Sequence, residues 1–316
     1  MKNKNKIRIK YWTFRMIVQF ISFLFMYGLI FTIFPPYFKI SRISIAIPVL
    51  VSMASPLSLV YGAFDLLQIM LSKPDAPLIA IASIMIVGSL FGRLFCGWIC
   101  PMGFIQDLLS KLKSKAVQVS LRKHEFWKKL KFLILFFVLL ISFSLALSLY
   151  LGFGEDYKKA LGAFAYGPFL ALSPDGTIFG VLPLTFANIN RIFYSSLERN
   201  SIIDYIWNGL TSLPNLFWIR ILILIGFFYG SFRIARFWCR YLCPLGALMG
   251  IFGKFSLLGI KRNLLNCTHC PECEKQCPMQ VKILELPWSK LNNSECILCL
   301  ECSDACEKDA IGFKFP

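Results

Sequence analysis

An all-α integral membrane protein, with about four transmembrane helices in two parallel repeats and a small C-terminal domain built on two metal clusters, is what three features of this sequence predict. The 316 residues are 57% hydrophobic, with a mean hydropathy of +0.63, which is too apolar for a soluble chain of this size. The pattern Arg-x2-Cys-x3-Cys-Pro-x-Gly occurs twice, 143 residues apart. The last fifty residues carry eight of the twelve cysteines in two equally spaced runs.

In chain order, residues 1–15 carry Lys2, Lys4, Lys6, Arg8, Lys10 and Arg15, and an apolar run from Met16 to Phe34 ends at Pro35-Pro36. That run is too long for the core of a signal peptide and lacks a small-residue cleavage site, so it reads as an uncleaved span with a cytoplasmic basic end. From Ile43 to Met70 the chain is apolar but broken by Pro48 and Pro56 and carries Asp65, which fits a re-entrant or interfacial segment. A second span, about Pro77 to Phe95, delivers the first Cys-x3-Cys-Pro to the cytoplasmic edge and closes a membrane repeat over residues 16–103. The loop 104–130 holds Lys111, Lys113, Lys115, Arg122, Lys123, Lys128 and Lys129, a density of cations that marks it as cytoplasmic. A third span, about Lys131 to Leu151, a Pro/Gly-punctuated connection over 152–214 and a fourth span, about Leu216 to Ile234, make the second repeat, 131–246. A linker over 247–260 leads to the C-terminal domain, 261–316, so both chain ends lie on the cytoplasmic side. That domain has seven Lys/Arg against eight Asp/Glu, net −1, so the overall +17 resides in the membrane portion. It is the positive-inside pattern of a protein whose partner is a lipid bilayer, and a nucleic-acid surface is excluded.

Within the repeat, Arg93, Cys96, Cys100, Pro101 and Gly103 match Arg236, Cys239, Cys243, Pro244 and Gly246. Two spans per half keep both copies in one orientation, which predicts an axis along the membrane normal. Positions i and i+4 of a helix share a face, so each pair presents two sulfurs together. The four thiols Cys96, Cys100, Cys239 and Cys243 are a possible third redox or metal site, with Arg93 and Arg236 expected to lower the thiol pKa values. The competing expectation is that the arginines snorkel, the cysteines pack as small apolar residues and Pro-x-Gly ends each helix.

The two C-terminal runs, Cys267-x2-Cys270-x2-Cys273-x3-Cys277-Pro278 and Cys296-x2-Cys299-x2-Cys302-x3-Cys306, have the ferredoxin-like spacing for cubane clusters, in which the fourth cysteine crosses to the other cluster. Two [4Fe–4S] clusters are expected, one on Cys267, Cys270, Cys273 and Cys306 and one on Cys296, Cys299, Cys302 and Cys277. A single run is compatible with zinc, but two four-cysteine runs in tandem suit its tetrahedral demand poorly. Glu307 stands where ferredoxins commonly have proline, which alters a turn and removes no ligand. The two histidines, His124 and His269, fall in the basic loop and inside a cluster run, so no bis-histidine haem sits in the membrane. Electrons therefore enter through flavin, quinone or sulfur chemistry. A quinone site needs an apolar cleft with a polar group to take protons, for which Asp65, Glu155, Asp156, Tyr166 and Asp175 are candidates, each also readable as an ordinary solvated loop residue.

Taken together, four spans, two Cys-x3-Cys-Pro motifs at helix ends and a C-terminal pair of ferredoxin motifs resemble the NapH type of membrane iron–sulfur protein. The arrangement is similar to the membrane half of NosR-type regulators. The external flavin-binding domain of the NosR type is not expected, since no soluble domain of that size fits before Met16, so NapH is the closer resemblance. The resemblance implies a quinol dehydrogenase component or membrane electron conduit, with Cys267 to Cys306 holding the clusters and quinone as substrate. It also implies a periplasmic partner bearing clusters or c-type haem and a terminal reductase. Two other readings stand beside it: a metal-reducing assembly factor of the CcoG type, and a transmembrane thiol relay using Cys96/Cys100 and Cys239/Cys243 as dithiols.

Overall fold

The structure is a computed structural model that describes residues 11–27, 45–52, 58–73, 75–112, 119–186, 215–291 and 293–314. It is mostly helical. Helix α1 covers Tyr11–Met26; the expected continuation of that span to Phe34 lies outside the described residues. Residues Ala46–Ile47 pair in parallel with Tyr61–Gly62, and the chain enters α2, Ala63–Leu71. Helix α3, Leu78–Phe91, then ends where Gly92 turns at φ +58°.

Beyond α3 the first cysteine pair does not lie on one continuous helix. A single turn of helix, α4 (Leu94–Trp98), stops at Ile99, and a new helix, α5 (Pro101–Lys111), starts beyond an extended Cys100. The second half repeats this: α7 (Asn215–Arg233), then α8 (Phe237–Tyr241), an extended Cys243 and α9 (Pro244–Gly253). The cause is local. Proline lacks an N–H and has a preset φ, so it is tolerated at the first position of a helix, and the cysteine before it is driven to extended geometry and becomes the N-cap. Pro-x-Gly thus begins a helix in both halves, and the two thiols of each pair come from opposite sides of a break.

Helix α6 (Leu130–Tyr150) opens the second half. Helices α6 and α7 are long and apolar enough to cross a membrane, whereas α1, α3 and α9 are apolar but shorter as described. Their outward faces carry exposed Phe136, Phe143, Leu222 and Ile225, as a lipid-facing surface requires. The halves pack crosswise: α5 lies against α7, and α9 against α3 and α6. The first half of the expected linker is α9, and strand Gly259–Arg262 pairs antiparallel with Ile311–Lys314, closing the C-terminal domain's beginning on its end. Two apolar cores result. One lies among the helices and contains Cys100 and Cys243; the other fills the C-terminal domain with Ile260, Met279, Ile297, Cys299 and Cys302, and takes in Cys96 from α4.

Candidate metal centre

The backbone around the cysteine runs repeats itself 29 residues on. His269 and Leu298 take φ of 56° and 53°, and Gln280 and Asp309 take 51° and 50°. Left-handed geometry at residues other than glycine is uncommon and is held only where the surroundings demand it. Here it turns backbone N–H groups toward sulfur: Val281 N–H donates to Cys277 Sγ (3.4 Å) and Ala310 N–H to Cys306 Sγ (3.3 Å).

The runs enclose two cavities, each lined by four thiols. The inner one is lined by Cys277, Cys296, Cys299 and Cys302 among aliphatic side chains such as Ile260, Met279 and Leu291. The outer one is lined by Cys267, Cys270, Cys273 and Cys306 with Arg262, Glu272, Glu307 and Lys308, and Cys270 is exposed. In each cavity three thiols come from one run and the fourth from the other. Burial pushes Cys277 up to about 12, Cys296 to about 11 and Cys299 to about 12, so these sulfurs are poor thiolates by themselves and suit a bound metal that takes the proton's place. Among the described residues no three cysteine, histidine or carboxylate side chains converge closely enough to hold a single metal ion. Apolar packing, N–H···S donors and four thiols per cavity all fit an iron–sulfur cluster.

Arg93 and Arg236, each at the start of its short cysteine helix, reach across to the other half. The Arg236 guanidinium donates to Cys96 O (2.7 Å) and Gly97 O (3.3 Å) and grips Asp107 through Nε (2.7 Å) and Nη2 (2.5 Å). Arg93 donates to Cys239 O (3.3 Å), Ser294 O (3.0 Å) and Glu295 (3.1 Å). The motif's glycine makes room for this exchange, because a Cβ at Gly103 would lie 2.7 Å from an Arg236 nitrogen and one at Gly246 2.9 Å from an Arg93 nitrogen. The arginines are fully buried and ion-paired, so they do not snorkel. Burial pushes the Cys96 thiol up, and the pull of Arg93 and Arg236 in the other direction does not offset it, contrary to the expectation of lowered values. Gln106 Nε2 donates to Cys239 Sγ (3.1 Å) and Gly246 N–H to Cys243 Sγ (3.2 Å). The four thiols lie within electrostatic range of one another.

The same charges fasten the C-terminal domain to the helices. Arg15 bridges Asp107 (3.2 Å) and Glu301 (2.6 Å), and Lys131 joins Arg93 on Glu295 (2.5 Å). Asp304 accepts from the first N–H groups of α1, Tyr11 and Trp12, at 3.1 Å each. Trp98 Nε1 donates to Leu298 O (2.9 Å), inside the second cysteine run. None of these partners is near in sequence, and only the appearance of Arg15, Asp107 and Lys131 in apolar surroundings hinted at them. Closest of all is Gly97, where a Cβ would stand 2.2 Å from Ile297 O. Gly97→Ala is therefore expected to push the cluster domain off α4, breaking the Trp98 bond and costing about 1–3 kcal/mol by overpacking. Faster amide hydrogen exchange over 294–300 in the variant would register it, and unchanged exchange would refute the contact.

The five residues considered for a quinone site separate. Glu155, Asp156 and Tyr166 are exposed, with Asp156 paired to Lys159 and Tyr166 under Lys158, whereas Asp65 and Asp175 are buried.

These features define a membrane-associated iron–sulfur protein of ferredoxin type. The 4Fe-4S binding domain family matches residues 76–120 and 215–264, and the 4Fe-4S dicluster domain family matches 266–311. Uncharacterized protein MJ0750 of Methanocaldococcus jannaschii is 34% identical over 238 residues, covering 73% of this chain and 76% of the relative. Ferredoxin-type protein NapH of Haemophilus influenzae is 26% identical, covering 77% of this chain and 69% of the relative. Regulatory protein NosR of Stutzerimonas stutzeri is 27% identical over 67% of this chain, which spans only 23% of NosR. No solved structure matches. The chain belongs to the NapH-like family of ferredoxin-type membrane proteins, related to NosR, and its role is iron–sulfur electron transfer.

Proposed function

We propose that the protein is a multi-pass membrane electron carrier that passes electrons between the quinol pool and a respiratory reductase system through two [4Fe–4S] clusters. One cluster is held by Cys277, Cys296, Cys299 and Cys302 and the other by Cys267, Cys270, Cys273 and Cys306. About four spans form two parallel repeats, with both chain ends and the clusters on the cytoplasmic side and further electron-transfer subunits as partners. The observation that carries this reading is the position of Cys96: it packs in one apolar core with Cys299 and Cys302, while Cys100 of the same motif and its repeat partner Cys243 pack among the membrane helices. The four membrane thiols then form a redox site between the bilayer and the inner cluster. The crosswise packing of α5 on α7 and α9 on α3 is what two like halves about a common axis would produce.

The test uses anaerobically purified protein in lipid nanodiscs. A short-chain benzoquinol is expected to reduce the clusters, followed by electron paramagnetic resonance, and a Cys96→Ser, Cys239→Ser double variant is expected to lose quinol-driven reduction while remaining reducible by dithionite. Reduction by dithionite alone in the unaltered protein sinks the quinol reading and turns attention to metal reduction.

A further inference from the structure

Two buried polar atoms have no hydrogen-bond partner among the described residues and lie within electrostatic range of each other: the Tyr27 hydroxyl and Asp175 Oδ1. Both residues are 1% exposed. Leaving such a group buried and unpaired costs about 1–3 kcal/mol, so two of them in one region call for a partner. Asp175 is half satisfied. It sits in the short Pro174–Gly176 helix, whose N-cap Ser173 accepts from Gly176 N–H (3.2 Å), with Ser173 and the local backbone N–H groups favouring its charged form and Oδ1 left open. Tyr27 ends α1, stacked on Phe179 with centroids 3.9 Å apart and planes 27° apart, and Phe23 packs on both rings. Its hydroxyl is within electrostatic range of Asp175, of Cys100 and of Asp65, a second buried acid on α2. Cys100 in turn is within range of Cys96, which belongs to the core of the cluster domain.

Buried ionisable groups in a membrane protein carry function more often than not. We propose that Tyr27 and Asp175 form the proton-accepting site for a hydroxyl-bearing aromatic reductant, a quinol. The ligand's O–H donates to Asp175 Oδ1, and its second oxygen accepts from the Tyr27 hydroxyl. This rests on the quinol reading above and adds the site to it. Oxidation breaks two O–H bonds of the quinol, giving a quinone, two protons and two electrons. One proton passes to Asp175 and the other to Asp65. The oxidant would be the pair of clusters that the C-terminal cysteines would hold, each of which would take one of the two electrons. Phe23 and Phe179, packed against Tyr27, make the surroundings of the hydroxyl aromatic and apolar, as a quinol ring needs.

The test measures the rate at which a short-chain benzoquinol reduces the clusters of the full-length protein in nanodiscs, with total dithionite-reducible signal and iron content as the reference. Asp175→Asn keeps the shape of the side chain and removes the proton acceptor; its rate is expected to fall about 100-fold, the usual contribution of a positioned base. Tyr27→Phe removes only the hydroxyl and is expected to fall about 10-fold, and it carries the test if the first variant loses iron. Asp156→Asn, at the surface, is expected to keep the full rate. Rates within twofold of the unaltered protein for both Asp175→Asn and Tyr27→Phe overturn the site while leaving the quinol reading standing. An iron-replete protein that quinol does not reduce at all overturns both.

Discussion

Asp107→Ala is expected to destabilise the protein by about 3–5 kcal/mol and to free the cluster domain from the membrane helices. Asp107 is the one carboxylate between Arg15 and Arg236, both fully buried. Burial alone would raise its pKa, but Arg236 and Arg15 win and hold it below the usual carboxylate range. It is therefore ionised in the folded state, and its contribution is present above the ordinary carboxylate pKa and fades only as the pH falls through the depressed value. Alanine leaves the two guanidiniums in low dielectric with Glu301, paired to Arg15, as the remaining counter-charge among the described residues. Arg236 would then lose both arms of its bidentate grip, and its hold on Cys96 O and Gly97 O with it. Thermal unfolding in detergent measures the loss. Asp107→Asn, which keeps one acceptor oxygen, is expected to fall between the two, and a midpoint unchanged in Asp107→Ala would mean that the ion cluster contributes nothing.

Cys302→Ser and Cys277→Ser are expected to remove the same cluster. The two residues stand in different sequence runs but line one cavity with Cys296 and Cys299. Each variant should drop from about eight irons per chain to about four, as loss of one cubane requires, and should lose the same resonance signal. Cys267→Ser and Cys306→Ser should lose the other signal, since their thiols share the outer cavity. The inner loss should be the more damaging to folding, because its sulfurs are part of an apolar core and cluster binding supplies folding free energy to so small a domain. If Cys277→Ser instead matched Cys267→Ser, the crossed grouping of the cavities would be wrong.

The cysteine runs were legible from spacing alone, because short Cys-x2-Cys turns dictate local backbone and the fourth thiol has few places to go. Helices α6 and α7 came within a residue or two, since long apolar periods leave little choice. The break inside each Cys-x3-Cys was missed by treating the motif as helix, although Cys100-Pro101 and Cys243-Pro244 carry the signature of a helix start. Long-range ion pairs were not legible. Arg15 reads as a positive-inside charge and Lys131 as the first residue of a span, yet both are buried against acids far away in sequence, and no local pattern encodes which carboxylate a cation will meet. The exchange of Arg93 and Arg236 between halves left one trace, the glycine at the end of each motif, whose reason becomes plain only when the opposite guanidinium is seen lying on it.

Iron and acid-labile sulfide per chain in anaerobically purified protein decide the matter most directly. Two cubane clusters give about eight of each, with zinc absent. Zinc in place of iron, or iron without labile sulfide, would contradict an electron-transfer role for the two thiol-lined cavities.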